Sequence, residues 1–262
     1  MSEDILSEVG EGIATITLNR PRSLNAMTPE LMADLKSAAL AADDDPRVRA
    51  IIFTGAGRAF SSGGDRRFLD DLGALEPPAI KETVYGTFQG AVKAVKLMRK
   101  PTIAAVNGPA VGAGCELAVA CDFRIASTRA QFVESWVHLG AIAPLGGMFL
   151  LPRIIGLARA TEMLMLGTPI GAEEAERIGL VNEVVEPEAL GDTARSLGER
   201  LAKGPPLALA VFKEGLRRAA ENTLEAEWEA GLYAQSMLIS SEDFKEAVAA
   251  GAEKRPPRFK GR

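Results

Sequence analysis

The chain has 262 residues, and its 30 Lys and Arg against 35 Asp and Glu give a formal net charge of −5 at pH 7. Hydrophobic residues make up 47% and charged residues 25%, a globular composition that excludes disorder over most of the chain. The net charge argues against a general nucleic-acid binder. The charge is unevenly spread, because the last ten residues, 253–262, carry five basic side chains and one acidic one.

Targeting and metal-binding signals are absent from the sequence. The start, MSEDILSEVG, is acidic and lacks the basic and then apolar order of a secretory signal, and no apolar run approaches the ~18 residues that a membrane helix needs. We therefore expect a cytoplasmic protein with no membrane contact. Cys115 and Cys121 lack metal or redox spacing, and only one histidine occurs, so we expect buried thiols, no metal site and chemistry based on carboxylates.

Hydrophobic periodicity predicts an α/β fold, because strands alternate with helices in the first part of the chain. Strands are expected at 13–18, 49–53, 102–106, 122–126 and 180–185, and helices at 28–43 and 113–120. Beyond Pro144 the apolar period is 3.6. It predicts helices over 145–155, 156–166, 171–178, 189–203, 205–219, 222–240 and 242–251, with an extended tail after them.

Two glycine-rich segments, 55–65 and 107–116, directly follow predicted strands. Neither has the third glycine of the dinucleotide-binding pattern, and no Gly-Lys-Ser/Thr triplet closes a phosphate-binding loop, so both nucleotide motifs are excluded. The second segment leads into the helix predicted at 113–120, whose first N–H groups have no partner within the helix. Such a place favours a carbonyl oxygen that gains negative charge.

Glu116 lies in the first turn of that helix among apolar and small residues, where a carboxylate is seldom buried without a function. As a structural residue it would cap the helix. As a functional residue it would be a general base beside an oxyanion hole. The helix N-terminus favours the ionised form and apolar burial disfavours it, and we predict a mostly ionised carboxyl that accepts a proton at neutral pH.

Four segments then support a family resemblance. In their order and spacing they resemble the enoyl-CoA hydratase/isomerase (crotonase) superfamily, from about residue 5 to the end. The resemblance implies a crotonase-like spiral of ββα units with the acyl-CoA site at 1–195, and a helical C-terminal region at 196–262 for trimerisation and for covering CoA. It also implies a homotrimer or a hexamer of two trimers, and no cofactor beyond the CoA of the substrate. The segments are LNRPRSLNAM at 18–27, FTGAGRAFSSGGD at 53–65, NGPAVGAGCELAVACD at 107–122 and AQFVES..HLGAI..LGG at 130–147.

The resemblance also implies roles for particular residues. The thioester oxygen would be held by the backbone N–H groups of Gly64 and Ala113; many relatives have glycine at the second position, and alanine still supplies the N–H. Arg22 is the candidate for the CoA phosphates, whereas Asp65 is expected to fix its loop. The residues implied to bind CoA are Arg22, Ser23, Leu24, Ala26, Ser62, Gly63, Asp65, Arg66, Phe259 and Lys260. Phe259 and Lys260 resemble family positions that reach the nucleotide, in some members from a neighbouring subunit, and an ordinary solvated terminus stays an alternative.

Trp136 marks a departure from the family pattern. Family hydratases have a second glutamate at this position, and its absence weakens the case for an addition of water that uses two carboxylates. Glu134 could replace that glutamate only if the loop turns differently. Other relatives carry an acid at the position of Pro144, and its absence argues against an aspartate base and against dehalogenation. Glu116 alone fits double-bond isomerisation. Hydration stays open if one glutamate both activates water and returns its proton.

Neighbouring residues complete the set of candidates. Phe132 and Trp136 are expected to line the acyl pocket. His138 lies close in sequence to Trp136, and the simpler expectation is a hydrogen-bonded structural group.

A competing functional class is a weakly catalytic acyl-CoA-binding homologue that kept the fold and the oxyanion hole. Thioester hydrolysis has no residue beyond Glu116 to support it.

Overall fold

The computed structural model describes residues 3–262, so Met1 and Ser2 of the predicted segment 1–195 lie outside the described residues. The strands are β1 (Ile5–Gly10), β2 (Ile13–Leu18), β3 (Ala50–Gly55), β4 (Thr102–Val106), β5 (Ala110–Val111), β6 (Phe123–Ser127), β7 (Gln131–Val133), β8 (Ile170–Gly171) and β9 (Glu183–Val185). The α-helices are α1 (Pro29–Asp44), α2 (Arg66–Gly73), α3 (Pro77–Lys81), α4 (Gly90–Lys96), α5 (Ala113–Ala120), α6 (Gly147–Leu166), α7 (Ala172–Arg177), α8 (Leu190–Ala202), α9 (Pro206–Ala219), α10 (Leu224–Ser240) and α11 (Glu242–Glu253).

The strands of the described residues form two sheets. The larger has the order β1-β2-β3-β4-β6-β9, with β1 antiparallel to β2 and the other pairs parallel. The smaller sheet has the order β5-β7-β8. The chain winds as β1-β2-α1, β4-β5-α5 and β6-β7-α6, and the second and third of these units each place one strand in each sheet. The α/β class expected from the sequence is confirmed.

The central strands are mostly apolar because both faces of the sheet are covered. Every residue of β4 is buried. On one face, Ile52 and Ile103 pack against Leu190 and Ala194 of α8. The other face packs against α1, α4 and α5. The two glycine-rich segments follow β3 and β4 at the carboxyl edge of this rigid layer.

Several predicted boundaries need adjustment. The helices predicted to meet at 155/156 are one element, α6, in which Gly156 has φ 77° and ψ 159° and breaks the helical path where the sequence placed the boundary. The strand β9 begins at Glu183 rather than at Leu180, because the carbonyl of Leu180 accepts from Arg124 Nε at 2.6 Å. The strand β1 was not predicted, since its residues other than Ile5 are exposed.

Among the C-terminal helices, α10 packs against α9 and α11. None of the residues of α10 is buried, and Trp228, Leu232, Tyr233 and Met237 are each more than 60% exposed. The division predicted at 195/196 falls inside α8, which packs on the sheet. Within residues 3–262, no helix has the length and hydropathy needed to cross a membrane.

Candidate active site

The two glycine-rich segments lie side by side at the carboxyl ends of β3 and β4. The N–H of Val111 donates to the carbonyl of Ser61 at 2.9 Å. Gly63 has φ +87°, and a Cβ there would lie 2.7 Å from the oxygen of Val111 and 3.8 Å from the nitrogen of Ala113. A Cβ on Gly114 would lie 2.7 Å from Cβ of Ser61. Glycine therefore allows the loop and the start of α5 to approach this closely.

The N–H groups of Gly64 and Ala113 make no hydrogen bond within the described residues. Met27 pairs across Gly64 by donating to the oxygen of Gly63 and accepting from the nitrogen of Asp65, which leaves the Gly64 N–H without a partner. Ala113 is the first residue of α5, so its N–H lies outside the hydrogen bonds of the helix. The structure thus brings the two predicted oxyanion donors beside each other, each able to bind a ligand oxygen.

Glu116 is held in the interior by the start of α6. Its Oε1 accepts from the N–H groups of Leu145 at 2.8 Å and Gly147 at 2.7 Å, and its buried Oε2 has no partner among residues 3–262. Burial raises the pKa of Glu116 to about 7, against the lowering by the Gly147 and Leu145 N–H groups and by the Trp136 indole. The prediction of a mostly ionised carboxyl is therefore corrected: at pH 7 both protonation states are well populated, because desolvation outweighs the helix terminus.

Sequence reasoning missed the two backbone groups that hold Glu116. Leu145 and Gly147 are separated from Glu116 by 29 and 31 residues, and their side chains carry no polar atom. The available signal was the Gly146-Gly147 pair in the first turn of the helix predicted at 145–155. A Cβ on Gly147 would lie 3.1 Å from Oε1 of Glu116, so the glycine makes room for the carboxyl.

Glu134 lies inside the protein beside the start of α5. Side chains alternate along β7, and Phe132 and Glu134 therefore share the buried face, each 0% exposed. β7 runs parallel to β5 with Val133 opposite Val111, and the N–H of Gly112 donates to the Val133 oxygen at 2.7 Å. This register carries Glu134 next to the first turn of α5, close to Cys115 and Glu116.

Trp136 lies in the 3₁₀-helix Ser135–Leu139 and is half-buried. Its ring covers Gly112, where a Cβ would lie 3.6 Å from the ring carbon Cε2. The indole Nε1 is buried without a hydrogen bond inside residues 3–262, yet close enough to lower the pKa of both Glu116 and Glu134. Trp136 therefore lies at the site.

Two other aromatic candidates lie elsewhere. Phe132 is fully buried in the hydrophobic core, and its expected place in the lining of the acyl pocket stays a prediction. His138 is exposed, and its ring lies against Gly167 at the end of α6. The structure does not bring His138 to the two carboxyls, because the 3₁₀-helix turns it to the outside.

The two loops predicted to bind CoA are joined by backbone hydrogen bonds. The N–H of Ser62 donates to the oxygen of Leu24 at 2.9 Å, and its hydroxyl reaches the oxygen of Ser23 at 3.4 Å. The N–H of Met27 donates to the oxygen of Gly63 at 2.7 Å. These predicted residues therefore form one continuous surface beside the Gly64 N–H.

The charged groups on that surface differ in whether they are already bonded within the chain. Asp65 accepts from the N–H of Arg67 at the start of α2 and lies 3.3 Å from Nη1 of Arg20, which itself donates to the oxygen of Ala26 at 2.6 Å. Asp65 thus fixes the loop, as expected. Arg22 and Arg66 are exposed and form no ion pair within the described chain, so their charges are available to an anion.

The C-terminal tail lies at the other end of the sheet. Asp243 accepts from the N–H groups of Lys260 at 2.6 Å and Gly261 at 2.9 Å, and the oxygen of Phe259 accepts from Arg49 at 3.3 Å. Arg49 precedes β3, whereas the glycine-rich segment 55–65 follows it. Phe259 and Lys260 are therefore not brought to the site of their own chain, and the bound backbone differs from an ordinary solvated terminus.

A cavity of about 410 Å³ lies at the far end of α5, between β6, α6 and α9. Its lining is mostly apolar and includes the ion pair between Lys213 and Asp122, at 2.7 Å. No residue of the predicted acyl-CoA site lines it. The cavity is therefore separate from the N–H pair and the buried carboxyls.

The fold and the site together define a class: an α/β protein in which a glycine-rich loop packs on the start of a short helix that carries a buried carboxyl. Comparison with known proteins agrees with this class. The family model described as Enoyl-CoA hydratase/isomerase matches residues 8–262. The chain belongs to the enoyl-CoA hydratase/isomerase family of enzymes, within the crotonase superfamily.

Individual relatives are similar over their whole length. The chain is 38% identical over 264 residues to 1,2-epoxyphenylacetyl-CoA isomerase of Escherichia coli (strain K12), covering 100% of both. It is 36% identical to crotonyl-CoA hydratase of Syntrophomonas wolfei subsp. wolfei, covering 98% of both. The crystal structure of enoyl-CoA hydratase from Bacillus anthracis superposes with a TM-score of 0.93 at 31% identity, over 99% of this chain and 100% of that one. These structural similarities confirm the crotonase fold with its C-terminal helical region. The two enzymes named first catalyse different reactions, so identity does not choose between hydration and isomerisation.

Proposed function

We propose that this chain binds an unsaturated acyl-CoA thioester and moves protons through a thioester enolate, with Glu116 as the general acid/base. The observation that carries the proposal is the state of Glu116. One carboxylate oxygen is fixed by two N–H groups, the other has no partner in the described residues, and the pKa is raised to about 7 by burial. A carboxyl with these properties can both take and return a proton at neutral pH.

The oxyanion hole in this proposal consists of the Gly64 and Ala113 N–H groups. They donate to the thioester oxygen, which gains negative charge as the enolate forms, and the N-terminal end of α5 adds its positive dipole. Removing one such donor typically costs ~10²–10³ in rate. Proton transfer and charge stabilisation both come from groups of the chain, so the proposed chemistry needs no cofactor beyond the CoA of the substrate.

CoA lies on the surface formed by the loops at 20–27 and 61–66. Arg22 and Arg66 supply positive charge for its phosphates. Phe259 and Lys260 reach the nucleotide only from a neighbouring copy, because the tail is bound at the opposite end of β3 within its own chain. The exposed apolar side of α10 supports such an assembly, a homotrimer or a dimer of trimers. Sedimentation of the wild type and of Leu232→Asp measures this association.

Turnover of acyl-CoA panels tests the proposed function. Purified protein is incubated with 2-enoyl-CoA and 3-enoyl-CoA thioesters of increasing chain length. The wild type is expected to convert at least one series, and Glu116→Gln to lose at least ~10²-fold in kcat, since general acid/base catalysis contributes about 10²–10⁴-fold. Affinity for CoA is expected to stay within about threefold. Activity of the variant equal to wild type contradicts the role of Glu116.

A second candidate is an acyl-CoA-binding homologue with little catalysis. Trp136 supports it, because the position that carries an acid in family hydratases holds an indole over Gly112. The same panel separates the two functions. Tight acyl-CoA binding without turnover on any thioester favours the binding protein.

A further inference from the structure

Four buried polar atoms without a hydrogen bond in the described chain belong to three neighbouring residues. They are both carboxyl oxygens of Glu134, Oε2 of Glu116 and Nε1 of Trp136. A single buried polar atom without a partner is costly, and most such atoms in proteins are paired. Four of them in one place, inside an acid/base site, indicate groups kept for a substrate and its protons rather than for stability.

The surroundings of Glu134 favour its neutral form. Burial raises the pKa of Glu134 well above its ordinary range, and the charge of Glu116 raises it further, while the Cys115 thiol and the Trp136 indole lower it. Within residues 3–262, the groups that shift the pKa of Glu134 lie on α5 and on the 3₁₀-helix, and none of them is a cation. Glu116 differs because the two N–H groups at the start of α6 stabilise its ionised form. One proton shared by the two carboxyls therefore resides mainly on Glu134.

The geometry points to Glu134 as the second acid of this site: we propose that Glu134 gives its proton to the substrate carbon next to the thioester while Glu116 takes a proton from water. The reaction is then addition of water to a 2-enoyl thioester. This inference rests on the proposed function and extends it, because a one-base isomerase needs no second carboxyl. The acid directly follows β7, two residues before the position that Trp136 occupies.

The proposed step balances in atoms and charge. Glu116 removes a proton from water as the water oxygen bonds to the β carbon, and the electrons of the double bond move to the thioester oxygen at Gly64 and Ala113. The enolate then takes the proton of Glu134 at its α carbon and regenerates the carbonyl. Glu116 is now neutral and Glu134 ionised, and transfer of one proton between them restores the starting pair. Trp136 is a positioning residue in this scheme, since its N–H faces both carboxyls.

Glu134→Gln tests the inference, with Glu116→Gln as the matched variant. Hydration of crotonyl-CoA and exchange of the α hydrogens of butyryl-CoA in D₂O are measured for each folded variant. E134Q is expected to lose ~10²–10⁴-fold in both reactions with KM nearly unchanged. E116Q is expected to lose hydration and to keep α exchange within about tenfold of the wild type.

The two proposals fail in distinguishable ways. Hydration or α exchange kept in E134Q within about threefold, while E116Q is inactive, overturns the role of Glu134 and leaves the proposed function standing. A wild type that neither hydrates nor isomerises any thioester overturns the proposed function itself. If E134Q does not fold, the wild-type pH profile decides. A bell-shaped kcat/KM with an alkaline limb supports the neutral acid, and a profile with only an acidic limb overturns it.

Discussion

The backbone N–H of Gly147 lies 2.7 Å from Oε1 of Glu116, and this contact fixes the carboxyl of α5 to the first residue of α6. The positive end of α6 thereby stabilises the ionised form, while the apolar surroundings oppose it. The outcome is a pKa of about 7. The pKa of this carboxyl on α5 therefore depends on a helix that begins 31 residues after Glu116.

Gly147→Ala is expected to lower kcat by about 10–100-fold in a folded protein. The new Cβ would lie 3.1 Å from Oε1 and 3.3 Å from Cγ of Glu116, so the carboxyl must move, and a displacement of ~1 Å can cost ~10² in rate. Gly251→Ala is the matched control, since nothing lies within 4 Å of its Cβ. Unchanged kinetics of Gly147→Ala would show that the position of the carboxyl is not limiting.

Glu116→Gln is expected to stabilise the protein at pH 8 relative to wild type, and less so near pH 5. The folded pKa of about 7 exceeds the ordinary 4.5, so the native state binds more protons and wild-type stability falls as pH rises from about 4.5 to 7. The shift corresponds to about 3 kcal/mol in the free energy of unfolding. Denaturant unfolding at the two pH values measures it, and Glu183→Gln on the exposed β9 is the control. Equal differences at both pH values would contradict the raised pKa.

Ala113→Pro is expected to cost ~10²–10³ in kcat by removing one oxyanion donor. Proline is tolerated at the first position of a helix, so α5 is expected to persist. Leu224→Pro, at the first position of α10 after the extended Thr223, is the matched control for the backbone change. Circular dichroism follows helix content and steady-state kinetics follows the donor. Full activity of Ala113→Pro would remove this N–H from the oxyanion hole.

Trp136→Phe is expected to move the acidic limb of the kcat/KM profile to higher pH. The indole N–H lowers the pKa of both Glu116 and Glu134, and phenylalanine keeps an aromatic ring without that donor. Activity at the optimum should fall less than in E134Q. A profile that keeps its limbs in place would limit Trp136 to shaping the pocket.

Lys260→Ala is expected to raise KM for acyl-CoA severalfold at low salt and to leave kcat unchanged. The tail is bound through its backbone to Asp243, so the Lys260 side chain is free to meet a phosphate of a neighbouring copy. The difference should disappear near 1 M salt, where the Debye length is about 3 Å. Arg262→Ala, whose guanidinium pairs with Glu242, removes the same charge from the same tail as a control.

The fold class and the central site follow from local sequence patterns. Glu116 is a candidate in the sequence because an acid among small apolar residues after a glycine loop is unusual. The helix boundary predicted at 155/156 coincides with the break at Gly156 in α6. The N–H groups of Gly64 and Ala113 were assigned by resemblance, and the structure packs the loop of Gly64 against the start of α5. These features depend on neighbouring residues in the chain.

Features that depend on distant contacts were not predictable. The position of Glu134 follows from the register of β7 on β5, and two short strands give little pattern from which to read a register. The pKa of Glu116 depends on burial by α6, and the sequence placed the carboxyl at a helix terminus without knowing what covers it. The charge of the tail and the resemblance led us to expect it near CoA, in its own chain or a neighbouring one, and they gave no sign that Asp243 binds its backbone at the opposite end of β3.

The two tryptophans of the chain report on different events. The indole of Trp136 lies beside the two buried carboxyls, whereas Trp228 is 67% exposed on α10, a helix with no buried residue. The emission of Trp136 is expected to respond to protonation of those carboxyls, and that of Trp228 to any contact made on the exposed face of α10. Each fluorophore can be replaced without touching the other, so the two tryptophans offer separate optical probes for the buried site and for the exposed helix.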